Sequence, residues 1–353
     1  ATSEEDRWKS RSQYPKPPFP YDSVDVKVQN ETDGIVLAGT LTIPQSGDRF
    51  PAVILVSGSG PQDRDETLLG HKPFAVIADH LSRNGIAVLR LDDRGVGEST
   101  GTFNDATTED FSRDAEAAFD FLKNHEKISA EHIGIVGHSE GGLIAPIVAA
   151  RRDDVGFIVL LAGPGINGAE IVRRQSELIA RAEGIPEAIV QLNHKVFDRA
   201  FAAVAKSSPD DDLKPEMERI VADLIDELPE EQKTTASGMK NQMVAQLQVM
   251  TVPWFKFFMS YEPIPTLQKV QCPTLAMIGE KDLQVPAKVN LDALRDGLTN
   301  GQSQDFEVVE LKGLNHLFQT AETGSPSEYV KIDETIAPSA LNKLTQWIQS
   351  KTQ

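Results

Sequence analysis

Cysteine is nearly missing from this sequence. Cys272 is the only one in 353 residues, so the chain can form neither an internal disulfide nor a metal site built from several cysteines. Long apolar runs are missing too, since none approaches the roughly 18 to 20 residues that a membrane-spanning helix needs. The sequence therefore predicts no disulfide scaffold and no membrane span, and it leaves the redox compartment open.

Basic residues are scarce relative to acidic ones. The chain has 35 Lys and Arg against 53 Asp and Glu, a formal net charge of −18 at pH 7. Such a surface repels nucleic acid and anionic membranes, so neither is an expected partner. The first residue, Ala1, is not Met, which is compatible with export after removal of a signal peptide; otherwise we expect a cytoplasmic protein.

Eight apolar segments have the length of β-strands. From the third segment onward, helical patterns separate them, such as the apolar residues at offsets 0, 3, 4 and 7 between Phe74 and Leu81. Two strands followed by repeated strand-helix units predict an α/β fold with a mostly parallel eight-stranded sheet and helices on both faces. The segments are Val24–Val28, Ile35–Ile43, Ala52–Val56, Ile86–Leu91, Ile133–Val136, Phe157–Leu161, Thr274–Ile278 and Phe306–Leu311.

Two parts of the chain depart from this alternation of strands and helices. Residues 1–22 are polar and then Pro-rich, which predicts an extended N-terminal arm. Residues 165–263 contain helix-forming sequence without a strand pattern, and so long a connection favours a helical cap inserted after the sixth strand over a structureless loop. The core of the domain would then consist of residues 23–164 and 264–353.

The last part of the expected cap is rich in Met, Phe and Trp. Aromatic residues are most often buried in a hydrophobic core. The alternative, which we consider second, is that some of them, Trp254 and Phe258, line an acyl pocket beneath the cap, which makes these two candidate substrate-binding residues.

The motif G-x-S-x-G occurs twice, centred on Ser139 and on Ser99. A nucleophile elbow requires a strand that runs into the serine and a helix that leaves at once, with glycines that let the two approach closely. Ile133–Val136 is an apolar, β-branched strand pattern before Ser139, and a small-residue helix pattern follows it. Polar residues precede Ser99 and no helix pattern follows. We therefore predict Ser139 as the nucleophile and Ser99 as a loop serine.

A serine nucleophile needs a base, and enzymes with this elbow place an acid and then a histidine later in the chain. Of the seven histidines, only His194 and His316 follow Ser139. His194 lies in the expected cap and is interpreted as a surface residue, whereas His316 follows the last strand. Glu280 and Asp282 both follow the seventh strand, and we favour Asp282 because the acid usually lies several residues past this strand.

The oxyanion hole should combine two backbone N–H groups. One would come from Glu140, next to the nucleophile, and the other from the loop after the third strand. In that loop Ser59 is the expected donor and Gly60 the alternative. The chain has no metal-ligand spacing such as H-E-x-x-H or paired cysteines, so we expect no metal.

Together these motifs resemble the α/β-hydrolase superfamily over nearly the whole chain from about residue 24. More narrowly, they resemble a bacterial carboxylesterase group related to the dienelactone-hydrolase and acyl-peptidase branch. Ser57-Gly58 departs from that group, because many relatives have His-Gly there. The segments that carry the narrower resemblance are Ser57–Glu66, Asp92–Ser99, Val136–Gly142, Trp254–Pro263 and Gly279–Val285.

The resemblance implies a serine carboxylesterase that acts on small acyl esters through an acyl-enzyme, without metal or organic cofactor. Its partner would be a small-molecule ester, and no oligomeric state is predicted. An acyl-aminoacyl hydrolase, a peptidase or an acyltransferase could use the same triad. A non-catalytic binding protein on the same scaffold is the alternative from another class, since this fold hosts many functions.

Overall fold

The computed structural model describes residues 3–207 and 211–352. Eight strands form one sheet in the spatial order β1-β2-β4-β3-β5-β6-β7-β8. β1 pairs with β2 and β2 with β4 in antiparallel fashion, and all other pairs are parallel, so the predicted α/β fold is confirmed. The strands are β1 Tyr21–Asn30, β2 Ile35–Pro44, β3 Phe50–Val56, β4 Ala87–Leu91, β5 Ile128–His138, β6 Phe157–Leu161, β7 Thr274–Gly279 and β8 Phe306–Leu311.

Helices cover both faces of the sheet, because each presents an apolar stripe to it. On one face, α3 (Thr108–Lys123), α4 (Gly141–Arg151) and α11 (Ala287–Thr299) share a hydrophobic cluster with the strands. On the other face, α2 (Pro73–Arg83) and α13 (Pro338–Lys351) share a second cluster. Almost every residue of α4 is buried, which is the burial expected of a helix packed on all sides beneath an insertion.

Helices fill the long connection between β6 and β7 in the described part of the chain. Several of them enclose a third hydrophobic cluster of their own, around Val221 and Leu247. The helical character of this insertion agrees with the sequence pattern, whereas its role as a cap stays a prediction. The helices are α5 Gly168–Ala182, α6 Glu187–Val204, α7 Lys214–Asp226, α8 Glu230–Val249, α9 Pro253–Ser260 and α10 Pro263–Leu267.

The N-terminal segment corrects one expectation. The extended arm expected over residues 1–22 instead contains a helix, α1 (Glu4–Ser10), which Ser3 caps by accepting the Asp6 backbone N–H. Trp8 on this helix is only 4% exposed and packs into the cluster of α2 and α13. Arg11 is also buried and donates to backbone carbonyls of distant loops. Burial of one large aromatic side chain thus holds the segment against the domain.

One edge of the sheet collects the predicted site. The carboxyl ends of β3, β5, β7 and β8 lie along the same edge because these strands are parallel. The loops that leave this edge carry Ser59, Ser139, Asp282 and His316 respectively. Open α/β sheets bind ligands at this carboxyl edge.

Candidate active site

The turn at Ser139 has the geometry of a nucleophile elbow. β5 ends at His138, Ser139 adopts the left-handed conformation with φ +52°, and α4 starts two residues later. The Ser139 N–H donates to the carbonyl of Leu161 at 2.8 Å, which ties the turn to the end of β6. A Cβ at Gly137 would lie 1.9 Å from the carbonyl oxygen of Gly141, so only glycine permits this close approach. The strained serine is therefore fixed by its surroundings.

His316 has a carboxylate partner. Its Nδ1 lies 2.8 Å from Oδ2 of Asp282, and the two residues are only 4% and 3% exposed. The other oxygen of Asp282 accepts the backbone N–H groups of Gln284 and Val285, each at 2.8 Å, so the carboxylate cannot rotate freely. Glu280, the alternative acid, is exposed and makes no such contact with His316. This pairing leaves Nε2 as the ring nitrogen that His316 can offer to a substrate or nucleophile.

Ser139 and His316 line the same cavity, which has a volume of about 610 Å³. Ser59, Trp254 and Phe258 line it as well, so five of the seven predicted site residues meet there. Asp282 lies behind His316, and the Glu140 side chain points away into the protein. The volume falls within the usual range of roughly 300 to 1,000 Å³ for small-molecule sites.

The Glu140 side chain is a buried carboxylate with neutral partners. Its Oε1 accepts the Thr108 hydroxyl at 2.7 Å and the Trp254 indole N–H at 2.6 Å. Burial raises the pKa of Glu140, while these two donors and the Ser59 hydroxyl favour its ionised form. The sequence predicts a role for Glu140 only through its backbone N–H.

A second carboxylate, the half-buried Asp93, holds the ends of the loop that contains Ser59. Oδ1 of Asp93 accepts the Ser57 hydroxyl at 2.9 Å and Oδ2 accepts the Gln62 backbone N–H at 2.9 Å. Burial raises the pKa of Asp93 to about 8, and the nearby charge of Glu140 contributes to this rise. Sequence reasoning missed this role, because a polar Asp92-Asp93 pair beside a glycine is typical of any surface turn.

His138 and Glu66 form a further pair that the sequence analysis did not identify. Nδ1 of His138 lies 2.8 Å from Oε1 of Glu66, which also accepts the Gly58 N–H at 2.8 Å. Nε2 of His138 lies 3.1 Å from the backbone oxygen of His316. Both ring nitrogens face acceptors, so both carry a proton and the ring is cationic. Burial acts to lower the pKa of His138, but the Glu66 carboxylate more than offsets this and raises it.

One face of α5 also lines the cavity and was missed. Ile171, Gln175 and Ile179 contribute to it at a spacing of four residues, which places them on a single helix face. That spacing is visible in the sequence, but polar Gln175 interrupts the apolar stripe and hides it.

The alternatives to Ser139 and His316 that the sequence offered lie elsewhere. Ser99 is in a loop, as predicted, and His194 lies on α6 with Nε2 3.2 Å from Glu177.

Comparison with known proteins now identifies the family. Residues 72–322 match the family model described as serine aminopeptidase, S33. The chain belongs to this family of α/β-fold hydrolases. The match spans α2 to the loop that carries His316, and it therefore contains the elbow, the His316–Asp282 pair and the helical insertion.

Curated relatives of this hydrolase include esterase EstD of Thermotoga maritima. The two sequences are 36% identical over 156 residues, which is 44% of this chain and 37% of EstD. An uncharacterised Pseudomonas aeruginosa protein, PA2218, is 31% identical over 34% of this chain and 31% of its own length. The alignments thus span about a third of the length of these two relatives.

Solved structures share the fold over nearly the whole chain. The α/β hydrolase GrgF from Penicillium sp. sh18 has a TM-score of 0.56 at 20% identity, covering 94% of this chain and 99% of GrgF. The esterase Pf2001 of Pyrococcus furiosus has a TM-score of 0.53 at 16% identity, covering 95% and 96%. Within residues 3–207 and 211–352, no helix combines the length and apolar character needed to cross a membrane.

Proposed function

We propose that this hydrolase is a serine carboxylesterase that cleaves small acyl esters. The supporting observation is the buried His316–Asp282 pair, which shares a cavity with Ser139 in its strained turn. A hydroxyl, a buried carboxylate and a histidine whose tautomer is fixed, in this chain order, are the parts of a serine-hydrolase triad. The esterase EstD and the esterase Pf2001 support ester hydrolysis over other acyl transfers.

The chemistry would proceed in two balanced halves. His316 Nε2 takes the proton of Ser139 as Oγ bonds to the ester carbon and the carbonyl electron pair moves to oxygen. The backbone N–H groups of Glu140 and Ser59 stabilise that oxyanion. Its collapse expels the alcohol, which takes the proton from His316 and leaves an acyl group on Ser139. Water then attacks in the same way, so the acid leaves and Ser139 recovers its proton.

The cavity favours an uncharged, apolar acyl group. Apolar side chains from the insertion, such as Val172, Ile179 and Phe197, make up much of its wall. Among the described residues that line it, none is Lys or Arg, whereas Glu66 and Glu183 are acidic. An acyl chain with its own carboxylate or phosphate would therefore meet no lysine or arginine there, and the cationic His138 is already paired with Glu66. Trp254 and Phe258 belong to the wall in this proposal.

The family description favours a second candidate, an aminopeptidase with the same triad. Glu183 in the cavity would attract the ammonium group at the end of a peptide. Amide hydrolysis would use the same acyl-enzyme, with an amine in place of the alcohol as the leaving group. Matched ester and amide substrates distinguish the two functions directly.

The deciding experiment measures kcat/KM on p-nitrophenyl esters from acetate to decanoate and on aminoacyl p-nitroanilides, for the wild type and Ser139→Ala. We expect ester hydrolysis by the wild type, and a kcat loss on the order of 10⁴-fold or more in Ser139→Ala with an unchanged melting temperature. A fluorophosphonate should label the wild type once, at Ser139, with or without EDTA. Faster turnover of the anilides than of the esters would replace the esterase by the aminopeptidase. A wild type that turns over neither class would refute both.

A further inference from the structure

We infer that the Glu140 carboxylate is a positioning residue that fixes the oxyanion hole and couples it to helix α9 through Trp254. The inference rests on the proposed function, because it concerns how the proposed oxyanion donors are held. Glu140 follows Ser139 directly, so the side chain and the proposed N–H donor share one Cα. Anchoring the carboxylate therefore limits rotation of the peptide that carries this donor.

The partners of the carboxylate come from three separate parts of the fold. Thr108 lies at the start of α3, Trp254 lies on α9 in the insertion, and Ser59 lies in the loop after β3. Ser59 is the second proposed oxyanion donor. The carboxylate thus accepts the N–H of an indole that lines the cavity, and the hydroxyl of Ser59, the residue that supplies the other half of the hole, favours its ionised form.

Stability alone does not explain a carboxylate at this position. Glu140 is buried, and the groups that favour its ionised form are neutral hydroxyl and indole donors rather than a cation. Burying a charge without a counter-ion opposes folding. A glutamine of the same shape would avoid that cost. A carboxyl group has two oxygens that can accept, whereas an amide has one, so it can hold several donors at once.

Trp254 connects this arrangement to the substrate. Its ring stacks on Phe258, with centroids 5.5 Å apart and an angle of 14° between the planes. Both rings line the cavity that contains Ser139. An acyl group packed against the indole would keep the indole N–H on Glu140. Binding of the acyl group would therefore also fix the oxyanion donor.

The test compares Glu140→Gln, Trp254→Phe and the double variant with Phe257→Leu as the matched control. Phe257 is an aromatic residue on the same helix, but it stacks on Tyr261 and does not line the cavity. Trp254→Phe keeps an aromatic ring in the wall and removes only the indole donor. We would measure kcat and KM on p-nitrophenyl butyrate. We would also measure the affinity for a trifluoromethyl ketone, whose carbonyl carbon is attacked by Ser139 Oγ so that its oxygen becomes an oxyanion.

Both single variants should lose about 10- to 100-fold in kcat, with KM within about twofold of the wild type, because a misplaced donor weakens only the transition state. Affinity for the trifluoromethyl ketone should fall by the same factor, whereas affinity for the matching methyl ketone should not. The double variant should lose no more than the worse single variant, since the two groups act through one hydrogen bond. Phe257→Leu should match the wild type.

Three results would overturn the inference while leaving the esterase intact. One is an unchanged kcat in Trp254→Phe with a raised KM, which would make Trp254 only a wall. Another is a double variant whose loss equals the product of the single losses. The third is a fall in the melting temperature of Glu140→Gln that parallels its loss of activity, since we expect it to melt at or above the wild-type temperature. A wild type without esterase activity would instead refute the proposed function itself.

Discussion

His138 and Glu66 form a buried ion pair that joins the end of β5 to the loop after β3, and His138 also contacts the loop that carries His316. Nδ1 of His138 lies 2.8 Å from Oε1 of Glu66, and the rings of His138 and His316 have centroids 4.8 Å apart. The same carboxylate oxygen holds the Gly58 N–H, two residues from the end of β3. The pair thus ties the loop after β3 and the loop that carries His316 to His138, the residue before Ser139.

Replacing Glu66 with Ala should strongly destabilise the protein. The cationic His138 would stay buried without a counter-ion, and the Gly58 N–H would lose its acceptor. Breaking a buried pair by removing one partner costs about 3 to 5 kcal/mol. Urea unfolding at pH 6 would measure this loss against Glu31→Ala. Glu31 is exposed in the turn after β1, and we expect its replacement to change stability by less than about 0.5 kcal/mol.

The cost of Glu66→Ala should depend on pH in one direction. The folded state raises the pKa of His138. Its stabilising contribution is therefore fully present below the ordinary histidine value near 6.5 and is lost as pH rises through the raised value. The gap between Glu66→Ala and the wild type should shrink between pH 6 and pH 9. A gap that stays constant over this range would mean that His138 is neutral in the folded protein.

Ser99→Ala should keep the activity and lose stability. The Ser99 hydroxyl donates to the carbonyl of Asp92 at 2.8 Å and accepts the N–H of Ala38 at 2.9 Å, and the residue is buried. The alanine variant leaves both backbone groups without this partner, which should cost about 1 to 3 kcal/mol. Its kcat on p-nitrophenyl butyrate should equal that of the wild type. Loss of kcat in a folded Ser99→Ala protein would contradict the choice of Ser139.

The sequence predicted the fold because each strand is recognisable from its own residues. All eight strands were predicted, since apolar β-branched runs and the helical stripes between them are readable within a few residues. β5 nevertheless begins at Ile128, before the predicted Ile133, because polar residues occupy its first half. Helix α1 was missed because the contacts of Trp8 are tertiary and leave no periodic pattern.

The same distinction separates the site residues that the sequence predicted from the supporting contacts that it missed. The G-x-S-x-G motif and the chain order of acid and histidine pointed to residues that the fold brings to one edge. The supporting contacts join residues far apart in the chain: Glu66 and His138 are separated by 72 positions, and Glu140 and Trp254 by 114. No motif connects them, so only the folded chain reveals these pairs.

Asp93 should make the protein less stable as pH rises. Its pKa is about 8 in the folded state, because of burial and the nearby Glu140, against an ordinary value near 3.8. Between these values the folded state holds a proton that the unfolded chain releases, so stability falls with increasing pH, by at most about 1.4 kcal/mol per pH unit. Asp93→Asn mimics the protonated form and should flatten this decline. Asp48→Asn, at an exposed loop position, should not.

The comparison requires urea midpoints of the wild type and both variants at several values between pH 4 and pH 8. We expect the curves of the wild type and Asp48→Asn to run parallel, with Asp93→Asn diverging above them as pH rises. Parallel curves for all three proteins would mean that Asp93 is ionised throughout this range.

The face of α5 that lines the cavity should limit acyl length. Ile179 is half-buried on this face, and its side chain borders the same cavity as Ser139. A tryptophan there would occupy space that a long acyl chain needs, without touching the proposed triad. Ile179→Trp should therefore lower kcat/KM for p-nitrophenyl decanoate at least about 10-fold relative to acetate, a free-energy difference of about 1.4 kcal/mol.

Leu178→Trp is the matched control, because Leu178 directly precedes Ile179 on α5 and does not line the cavity. If both variants lowered turnover of acetate and decanoate equally, the insertion would have no part in acyl selection. A shift confined to Ile179→Trp would support its proposed role as a cap, because chain-length discrimination by a remote residue requires the acyl group to lie against it.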